Sequence, residues 1–299
     1  MNNENNMTHF HGDDVQPSSP EEALFHMVPV PFEKSVTYGS GTAKGPQAIL
    51  EASSQLELHT CANVPAEHGI YTIPELDCSG STEEVLQRIE NTISTVLEHK
   101  ALPVVLGGEH TVTCGGIPAL QNHYESFGVI QFDAHADLRD VYEGTGFNHA
   151  CVMRRIHEKG IPIYQIGTRS YSIEEQEYRK KYSIPFIDSE EIWRKGTHLE
   201  LPPYFPEHVY VTFDIDALDS SILPATGTPV PGGLNWYQAM WMIEQIMKTR
   251  ICIGIDVVEL APIENLHASS FAAAQLTYNL MGYLTGSKKN RKYWLIETV

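Results

Sequence analysis

Apolar runs alternate with helical patterns along most of the chain. Runs that are short, apolar throughout and rich in branched residues predict strands. They cover residues 24–32, 102–108, 127–132, 161–167, 184–188, 208–216 and 251–260. Segments with apolar residues at helical spacing predict helices over residues 81–100 and 235–250, from Ser172 onward, and over 267–284. The chain therefore alternates between strands and helices.

The helix over residues 81–100 has the clearest pattern. Ser81 followed by Glu84 is a capping box, in which each side chain can accept a hydrogen bond from the other residue's backbone N–H. Ser172 and Glu175 repeat this spacing at the start of another helix. The apolar positions of the first helix fall on one face: Val85, Leu86, Ile89, Ile93, Val96 and Leu97.

Strands that are apolar throughout and alternate with helices predict a parallel sheet covered on both faces. We therefore expect an α/β fold in three layers, α/β/α, with a mainly parallel central sheet. No Pro/Gly/Ser linker divides the interior, so residues 23–299 are expected to form one domain. Residues 1–22 are polar and poor in branched apolar residues, which predicts a mobile arm with His9 and His11 solvated.

Composition excludes several partner classes. The formal net charge of −18 makes nucleic acid and anionic membrane surfaces poor partners and weakly favours a cationic small molecule. No run of 18 apolar residues or N-terminal apolar segment predicts a membrane span or signal peptide. The cysteines are scattered and form no CxxC pair, which predicts reduced thiols and a cytoplasmic protein: Cys61, Cys78, Cys114, Cys151 and Cys252.

Acid and histidine residues follow four of the predicted strands. In parallel sheets, functional groups gather beyond the carboxyl ends of the strands. Asp256 is left out because, three residues before Glu259, it would face the other side of a regular strand. The residues at these four ends are Glu109 and His110; Asp133, His135 and Asp137; Asp214 and Asp216; and Glu259.

Spacing constrains how these groups can meet. Asp214 and Asp216 on an extended strand would lie about 7 Å apart and could reach one ion or two adjacent ions. Asp133 and Asp137 would be about 13 Å apart if extended. They can share an ion only if the chain turns, so the strand is expected to end at Asp133 and curl.

Charge points to a pair of divalent cations. Four converging aspartates would raise one another's pKa or push the site apart, and Arg139 is the only cation near them. Two divalent ions balance four carboxylates, with His110 and His135 as nitrogen ligands. A site of oxygen and imidazole ligands without thiolate favours Mn²⁺ over a structural Zn²⁺, with Fe, Co, Ni and Zn left open. Two such ions can activate a water.

Each motif also has a structural explanation when taken alone. His110 could be an ordinary loop histidine, and Asp214 and Asp216 could serve a turn. "DAHAD" directly after an apolar strand is more specific, because burying two acids and a histidine without a counter-ion is costly. Together with the second "D-x-D" strand end, it favours a two-metal site.

At these residues the sequence resembles the ureohydrolase family of arginases and agmatinases. The resemblance rests on "GGEHT" (107–111), "FDAHADLRD" (132–140), "TFDIDALD" (212–219), "ATGTPVPGG" (225–233) and "DVVELAP" (256–262), and runs in order from about residue 25 to the end. It implies a sheet of about eight strands and two Mn²⁺ per subunit. It also implies homotrimers or homohexamers.

The resemblance implies a role for each residue. Asp133 and Asp214 would bridge the two ions, with His110 and Asp137 completing one and His135 and Asp216 the other. A hydroxide between the ions would attack the central carbon of a guanidinium, releasing urea and an amine.

Glu259 would hold the guanidinium, Thr228 would contact the same group, and His149 would relay a proton to the leaving amine. The candidate catalytic residues are therefore His149, Glu259 and Asp137. For Thr228 a turn role, and for His149 a structural loop role, remain alternatives.

The segment over residues 138–150 bears on the substrate. It lacks the Asn and Ser pattern that arginases use for the substrate's carboxylate and amine, and it resembles agmatinases. Its acids, Asp140 and Glu143, suit a cationic tail, which predicts hydrolysis of agmatine to urea and putrescine. Since Arg139, Arg154 or Arg155 could meet a carboxylate, 4-guanidinobutyrate, another guanidino acid or arginine remains an alternative.

Two other classes are weighed against this prediction. A two-metal phosphoesterase would need cationic residues near the motifs, and few are present. A non-catalytic metal-binding protein would be expected to lack a ligand or a substrate-positioning residue, and none is missing.

Overall fold

Parallel strands form one central sheet in the computed structural model, which describes residues 8–60 and 63–295. Eight strands of the described chain lie in the order β2-β1-β3-β8-β7-β4-β5-β6, all parallel. They are β1 (Phe25–Val30), β2 (Ile70–Thr72), β3 (Leu102–Gly107), β4 (Gly128–Phe132), β5 (Ile163–Ile166), β6 (Phe186–Ile187), β7 (His208–Asp214) and β8 (Ile251–Val258).

Helices cover both faces of this sheet. They are α1 (Gly45–Ser53), α2 (Thr82–Glu98), α3 (Thr113–His123), α4 (Val152–Glu158), α5 (Ile173–Tyr182), α6 (Ser189–Lys195), α7 (Trp236–Thr249), α8 (His267–Gly286) and α9 (Lys288–Trp294). One buried core holds side chains of α1, α7 and α8, and a second holds side chains of α2, α3 and α4. The predicted three-layer α/β/α fold is confirmed.

Local signals placed several helices correctly. Ser81 with Glu84, and Ser172 with Glu175, form the predicted capping boxes at the starts of α2 and α5. Six elements of the described chain are not predicted by the sequence patterns: β2, α1, α3, α4, α6 and α9.

Helix α3 was missed because it contains Gly115, Gly116 and Pro118, which have low helix propensity. Its glycines serve packing, since a Cβ on Gly115 would lie 2.7 Å from the Ile89 side chain of α2.

Two strand ends matter for the site. Strand β4 stops at Phe132, one residue before Asp133, so the expected end and curl of this strand are present. The prediction of a strand through Asp216 is wrong, because β7 ends at Asp214 and residues 215–217 form a 3₁₀ turn. Asp214 Oδ1 accepts a hydrogen bond from Asp216 N (2.9 Å) and closes this turn.

The start of the described chain packs against the fold. Phe10 and His11 are buried, and His11 N donates to Ser53 Oγ (2.8 Å). The expectation of a solvated His11 is therefore wrong, because its ring packs edge-on against Tyr278. Residues 1–7 of the predicted arm lie outside the described residues, and the division into residues 1–22 and 23–299 stays a prediction.

Within the described ranges, no helix combines the length and apolar character needed to cross a membrane.

Candidate active site

Four neighbouring strands carry the candidate site residues at one edge of the sheet. Strands β3, β8, β7 and β4 are adjacent in the centre, and all of them point the same way. His110 follows β3, Asp133 follows β4, Asp214 ends β7 and Glu259 follows β8. The parallel arrangement therefore brings together residues that are far apart in the sequence.

His110 is the centre of a first group of ligand atoms. Its Nδ1 lies 2.9 Å from Asp137 Oδ2, 3.2 Å from Asp133 Oδ2 and 3.6 Å from Asp214 Oδ2. Asp137 reaches back because its backbone is left-handed, with φ of 51°, which turns the chain after Ala136. His110, Asp133 and Asp137 could hold one metal ion.

A second group forms on the other side of Asp133. His135 Nδ1 lies 3.0 Å from Asp216 Oδ2 and 3.5 Å from Asp133 Oδ1. Asp133, His135 and Asp216 could hold a second ion. Asp133 thus offers Oδ2 to the first group and Oδ1 to the second, which is the geometry expected of a bridging carboxylate.

Buried negative charge dominates this edge of the sheet. Burial, followed by the charge of Asp133, raises the pKa of Asp137 to about 7. Burial and the charges of Asp216 and Asp133 raise the pKa of Asp214 well above its ordinary value. Burial would lower the pKa of His135, but Asp216 and Asp133 outweigh it and raise that pKa to about 12. These carboxylates attract positive charge strongly.

The residues present fit two divalent cations. All donors are carboxylate oxygens or imidazole nitrogens, which suit Mn²⁺ and similar ions. In the described part of the chain, no lysine or arginine forms an ion pair with Asp133, Asp137, Asp214 or Asp216. Burying several carboxylates without such a partner is unfavourable unless bound ions supply the charge.

Glu259 faces the same space. It is buried, its backbone φ is 67°, and its Oε1 accepts a hydrogen bond from His110 N (2.6 Å). Its own N donates to Gly108 O (2.9 Å), which ties the end of β8 to that of β3. Burial raises the pKa of Glu259 to about 8. A cation in the cavity would favour the ionised carboxylate.

One cavity of about 290 Å³ joins the candidate residues. Asp133 is almost fully buried and does not line this cavity. The candidates that line the cavity are His110, His135, Asp137, His149, Asp214, Asp216, Thr228 and Glu259.

His149 is held on both ring nitrogens by the loop after β1. Its Nε2 lies 2.8 Å from Thr37 Oγ1, and its Nδ1 lies 3.3 Å from Ser35 Oγ. Ser35 Oγ in turn donates to Glu109 Oε1 (2.5 Å). Burial lowers the pKa of His149 to about 4, so its imidazole is neutral at neutral pH.

Two contributors to this site were not predicted. Val36, Thr37 and Gly39 line the cavity from the loop after β1, and Glu175 lines it from the start of α5. The Gly- and Ser-rich segment "SVTYGSG" after a predicted strand is a signal that could have placed this loop at the site. Glu175 was recognised only as a helix cap.

The acids expected at the substrate tail lie elsewhere. Asp140 and Glu143 are exposed and do not line the cavity. Asp140 instead pairs with Arg155 (2.6 Å) and Arg154 (3.7 Å), and neither of these arginines lines the cavity. Of the arginines considered for that role, Arg139 alone lines the cavity, and its guanidinium stacks on Tyr142.

The chain is similar to known proteins over most of its length. Residues 23–282 match the model of the arginase family. An N(1)-aminopropylagmatine ureohydrolase of Synechocystis sp. is 35% identical over 285 residues, covering 92% of this chain and 93% of that protein. An agmatinase of Pyrococcus horikoshii is 32% identical over 267 residues, covering 88% of this chain and 92% of that protein.

Solved structures extend the comparison to the fold. The agmatine ureohydrolase of Thermoplasma volcanium superposes with a TM-score of 0.83 at 28% identity, covering 98% of this chain and 97% of that one.

Proposed function

This chain belongs to the arginase family as an agmatinase-like ureohydrolase that acts on guanidino compounds, and we propose that its substrate is agmatine. The reaction adds one water to agmatine and yields urea and putrescine. The observation that carries this proposal is the cavity itself, in which Glu259 faces two carboxylate–imidazole groups that share Asp133.

Two Mn²⁺ ions are the proposed cofactors. His110 and Asp137 would complete one ion, His135 and Asp216 the other, and Asp133 and Asp214 would bridge them. When bound, the ions would supply positive charge and lower the pKa of water, making a nucleophile available at neutral pH. Asp137 belongs to the proposed catalytic set because it would hold one of these ions.

Glu259 is the proposed anchor for the guanidinium. Its Oε1 is fixed by His110 N, while the residue remains part of the cavity wall. A guanidinium presents parallel N–H donors to a carboxylate, and such charge-assisted bonds are stronger than neutral ones. The anchored guanidinium would then place its central carbon beside the metal ligands. Thr228, on the same wall, is a proposed second contact.

His149 is the proposed proton carrier for the leaving amine. Because its imidazole is neutral, it can accept a proton at Nε2 and later deliver it. Ser35 Oγ–H donates to Glu109, so Ser35 Oγ is left to accept from His149 Nδ1–H. This assignment leaves Nε2 as the basic nitrogen, beside Thr37 Oγ1 in the cavity wall.

Glu175 replaces Asp140 and Glu143 as the proposed partner of a cationic tail. Its carboxylate is buried, lines the cavity and accepts hydrogen bonds from Leu138 N (3.0 Å) and Ser172 N (2.7 Å). A carboxylate has further acceptor positions for an ammonium. Arg139 on the same wall would favour a carboxylate tail, so 4-guanidinobutyrate is the alternative that must be tested.

A longer amine is the second candidate. The Synechocystis relative is named for N(1)-aminopropylagmatine, which carries an additional amine beyond the agmatine chain. Such a substrate would also place ammonium groups near Glu175.

We further propose a homotrimer or homohexamer in the cytoplasm, and light scattering on the purified protein would test the assembly.

Urea release from Mn²⁺-loaded protein tests the proposal. Agmatine, N(1)-aminopropylagmatine, 4-guanidinobutyrate and arginine would be compared by kcat/KM in one assay. The highest kcat/KM on agmatine supports the proposal, and a preference for another guanidine replaces the substrate within the same chemistry. Absence of urea from every substrate, with two ions bound, would refute the proposal.

A further inference from the structure

Glu109 is a fully buried carboxylate that lies outside the cavity wall. It comes two residues after the end of β3 and directly before His110. Taking a carboxylate out of water is costly unless hydrogen bonds replace its hydration. The groups that supply these hydrogen bonds therefore indicate what this residue does.

Four donors surround the Glu109 carboxylate. Its Oε2 accepts hydrogen bonds from Lys34 N (2.5 Å) and Ser35 N (2.6 Å), and its Oε1 accepts from Ser35 Oγ (2.5 Å) and Thr111 Oγ1 (2.6 Å). All four donors are uncharged groups, and together they fill the acceptor positions of a carboxylate. Because three of the four belong to Lys34 and Ser35, Glu109 mainly holds the loop after β1.

This loop carries part of the cavity wall. Val36, Thr37 and Gly39 line the cavity and follow directly after the two residues that Glu109 holds. Strands β1 and β3 are neighbouring parallel strands, so the residues beyond their carboxyl ends lie at the same edge of the sheet. Glu109 thus fixes this loop from the end of the neighbouring strand.

The Ser35 hydroxyl connects Glu109 to His149. Its oxygen lies 3.2 Å from His149 N and 3.3 Å from His149 Nδ1. A hydroxyl has one donor and two acceptor positions. Because the Ser35 proton points to Glu109, the Ser35 oxygen can accept from both N–H groups of His149. All three positions of this hydroxyl are then used, which fixes the orientation of the imidazole.

We propose that Glu109 is a positioning residue that acts through the Ser35 hydroxyl on His149. The carboxylate orients the hydroxyl, and the hydroxyl oxygen keeps the imidazole proton on Nδ1. Which ring nitrogen of a histidine carries the proton is set by the hydrogen bond that the other nitrogen makes. Nε2 is then the basic nitrogen, beside Thr37 Oγ1 in the cavity wall, where it can accept a proton and pass it to the leaving amine.

The consequence is a loss of catalysis without a loss of metal. The two ligand groups of the described chain contain neither Ser35 nor His149. Breaking the link should therefore lower kcat and leave both ions, and KM for agmatine, nearly unchanged. This inference rests on the proposed role of His149, so the experiment must separate the failure of the link from the failure of that role.

A double-mutant cycle tests the link. Ser35→Ala removes the hydroxyl but keeps the backbone N–H groups that anchor the loop on Glu109 Oε2. We would measure kcat, KM and bound Mn²⁺ for Ser35→Ala, His149→Ala and the double variant. A positioned proton carrier contributes typically about 10²- to 10⁴-fold, so we expect kcat to fall by roughly 10-fold in Ser35→Ala and further in His149→Ala.

The double variant gives the decisive comparison. If Ser35 acts only through His149, adding Ser35→Ala to His149→Ala should cause no further loss of kcat. A merely structural role of the Ser35 hydroxyl in shaping the loop would instead lower kcat in the His149→Ala protein as well. The cycle therefore distinguishes positioning of the imidazole from general support of the cavity wall.

Ser35→Thr and Thr111→Val are the matched controls. Ser35→Thr keeps the hydroxyl and should keep kcat close to that of the wild type. Thr111→Val removes another hydrogen bond to Glu109 Oε1 but leaves the link to His149 intact, so its kcat should also stay close to the wild-type value. Glu109→Gln should reproduce the loss in Ser35→Ala, and Ser35→Ala decides the question if Glu109→Gln does not fold.

Four outcomes overturn the inference alone: an unchanged kcat in Ser35→Ala, loss of bound Mn²⁺ from Ser35→Ala, the same fall of kcat in Thr111→Val, or a double variant slower than His149→Ala. If His149→Ala itself keeps the wild-type kcat, the proton-carrier role fails and the inference fails with it. Absence of urea from the wild-type protein would refute the proposed function as a whole.

Discussion

His110 Nδ1 lies 2.9 Å from Asp137 Oδ2, and this contact depends on the left-handed backbone of Asp137. A regular strand would have carried Asp137 away from the ligand group. The strained turn instead returns its carboxylate to the end of the neighbouring strands. A strained backbone conformation of this kind persists only where the surrounding structure holds it in place, and such conformations cluster at functional sites.

Asp133→Asn should abolish urea release and reduce metal content toward zero. The two oxygens of Asp133 face different ligand groups, so an amide at this position weakens both ions together. Elemental analysis after dialysis and a urea assay would measure the two effects. Asp140→Asn is the control, because Asp140 is exposed and outside the cavity. Two retained ions with near-normal turnover in Asp133→Asn would refute the bridging role.

The metal-free protein should lose stability as the pH rises above about 6.5. The pKa values of Asp137 and Glu259 are raised to about 7 and about 8, so the folded state keeps protons that the unfolded state has already released. Below the ordinary histidine pKa this effect is opposed by buried histidines with lowered pKa, such as His149 and His11, so the fall is expected from about pH 6.5 to about pH 8. His135, with its pKa raised to about 12, acts in the same direction above its ordinary value.

Differential scanning fluorimetry from pH 6.5 to pH 8.5 would measure this slope. Added Mn²⁺ should raise the unfolding temperature more at pH 8 than at pH 6, because metal binding displaces protons. Glu259→Gln removes one of the titrating groups and should flatten the slope of the metal-free protein. An unfolding temperature that rises with pH in the metal-free protein would contradict the assignment.

His149→Ala should lower kcat while both ions remain bound. A positioned proton carrier contributes typically about 10²- to 10⁴-fold, and His149 lines the cavity without belonging to either ligand group. Single-turnover kinetics and metal analysis would separate chemistry from metal loss. If the substitution empties the metal centre, His149 has a structural role and the proton-carrier assignment is wrong.

Glu175→Gln should raise KM for agmatine selectively. Glutamine can still accept from Ser172 N and complete the capping box of α5, but its amide nitrogen cannot accept from Leu138 N, and the loss of that hydrogen bond would act on both substrates alike. Loss of a charge-assisted contact costs roughly 1.5–3 kcal/mol, or about 10- to 100-fold in kcat/KM. Butylguanidine, which lacks the terminal amine, is the control substrate and should be affected little. Equal losses on both substrates would remove Glu175 from tail recognition.

The cluster of carboxylates and imidazoles could be predicted because its residues lie at the ends of strands that local sequence indicates. Asp133, His135 and Asp137 follow an apolar run directly, and the need for a turn followed from the separation of Asp133 and Asp137 alone. A parallel sheet is enough to bring His110, at the end of another strand, to the same edge. Both inferences, the turn and the parallel sheet, follow from local sequence patterns and do not require knowledge of how distant parts of the chain pack.

Other features depend on packing that local sequence does not encode. Asp140 looked suited to a cationic substrate, but Arg155 on α4 pairs with it, and this contact is visible only in the folded chain. Glu175 was read as a helix cap, although the same carboxylate also borders the cavity.

Metal titration of stripped protein, followed by urea release from agmatine, tests the proposed metal-dependent hydrolysis of agmatine directly. We expect no turnover without metal and activity that rises with added Mn²⁺ until two ions are bound per chain. Urea and putrescine should then form in equal amounts. Full turnover in the stripped protein, or two bound ions with no urea released from agmatine, would refute the proposal.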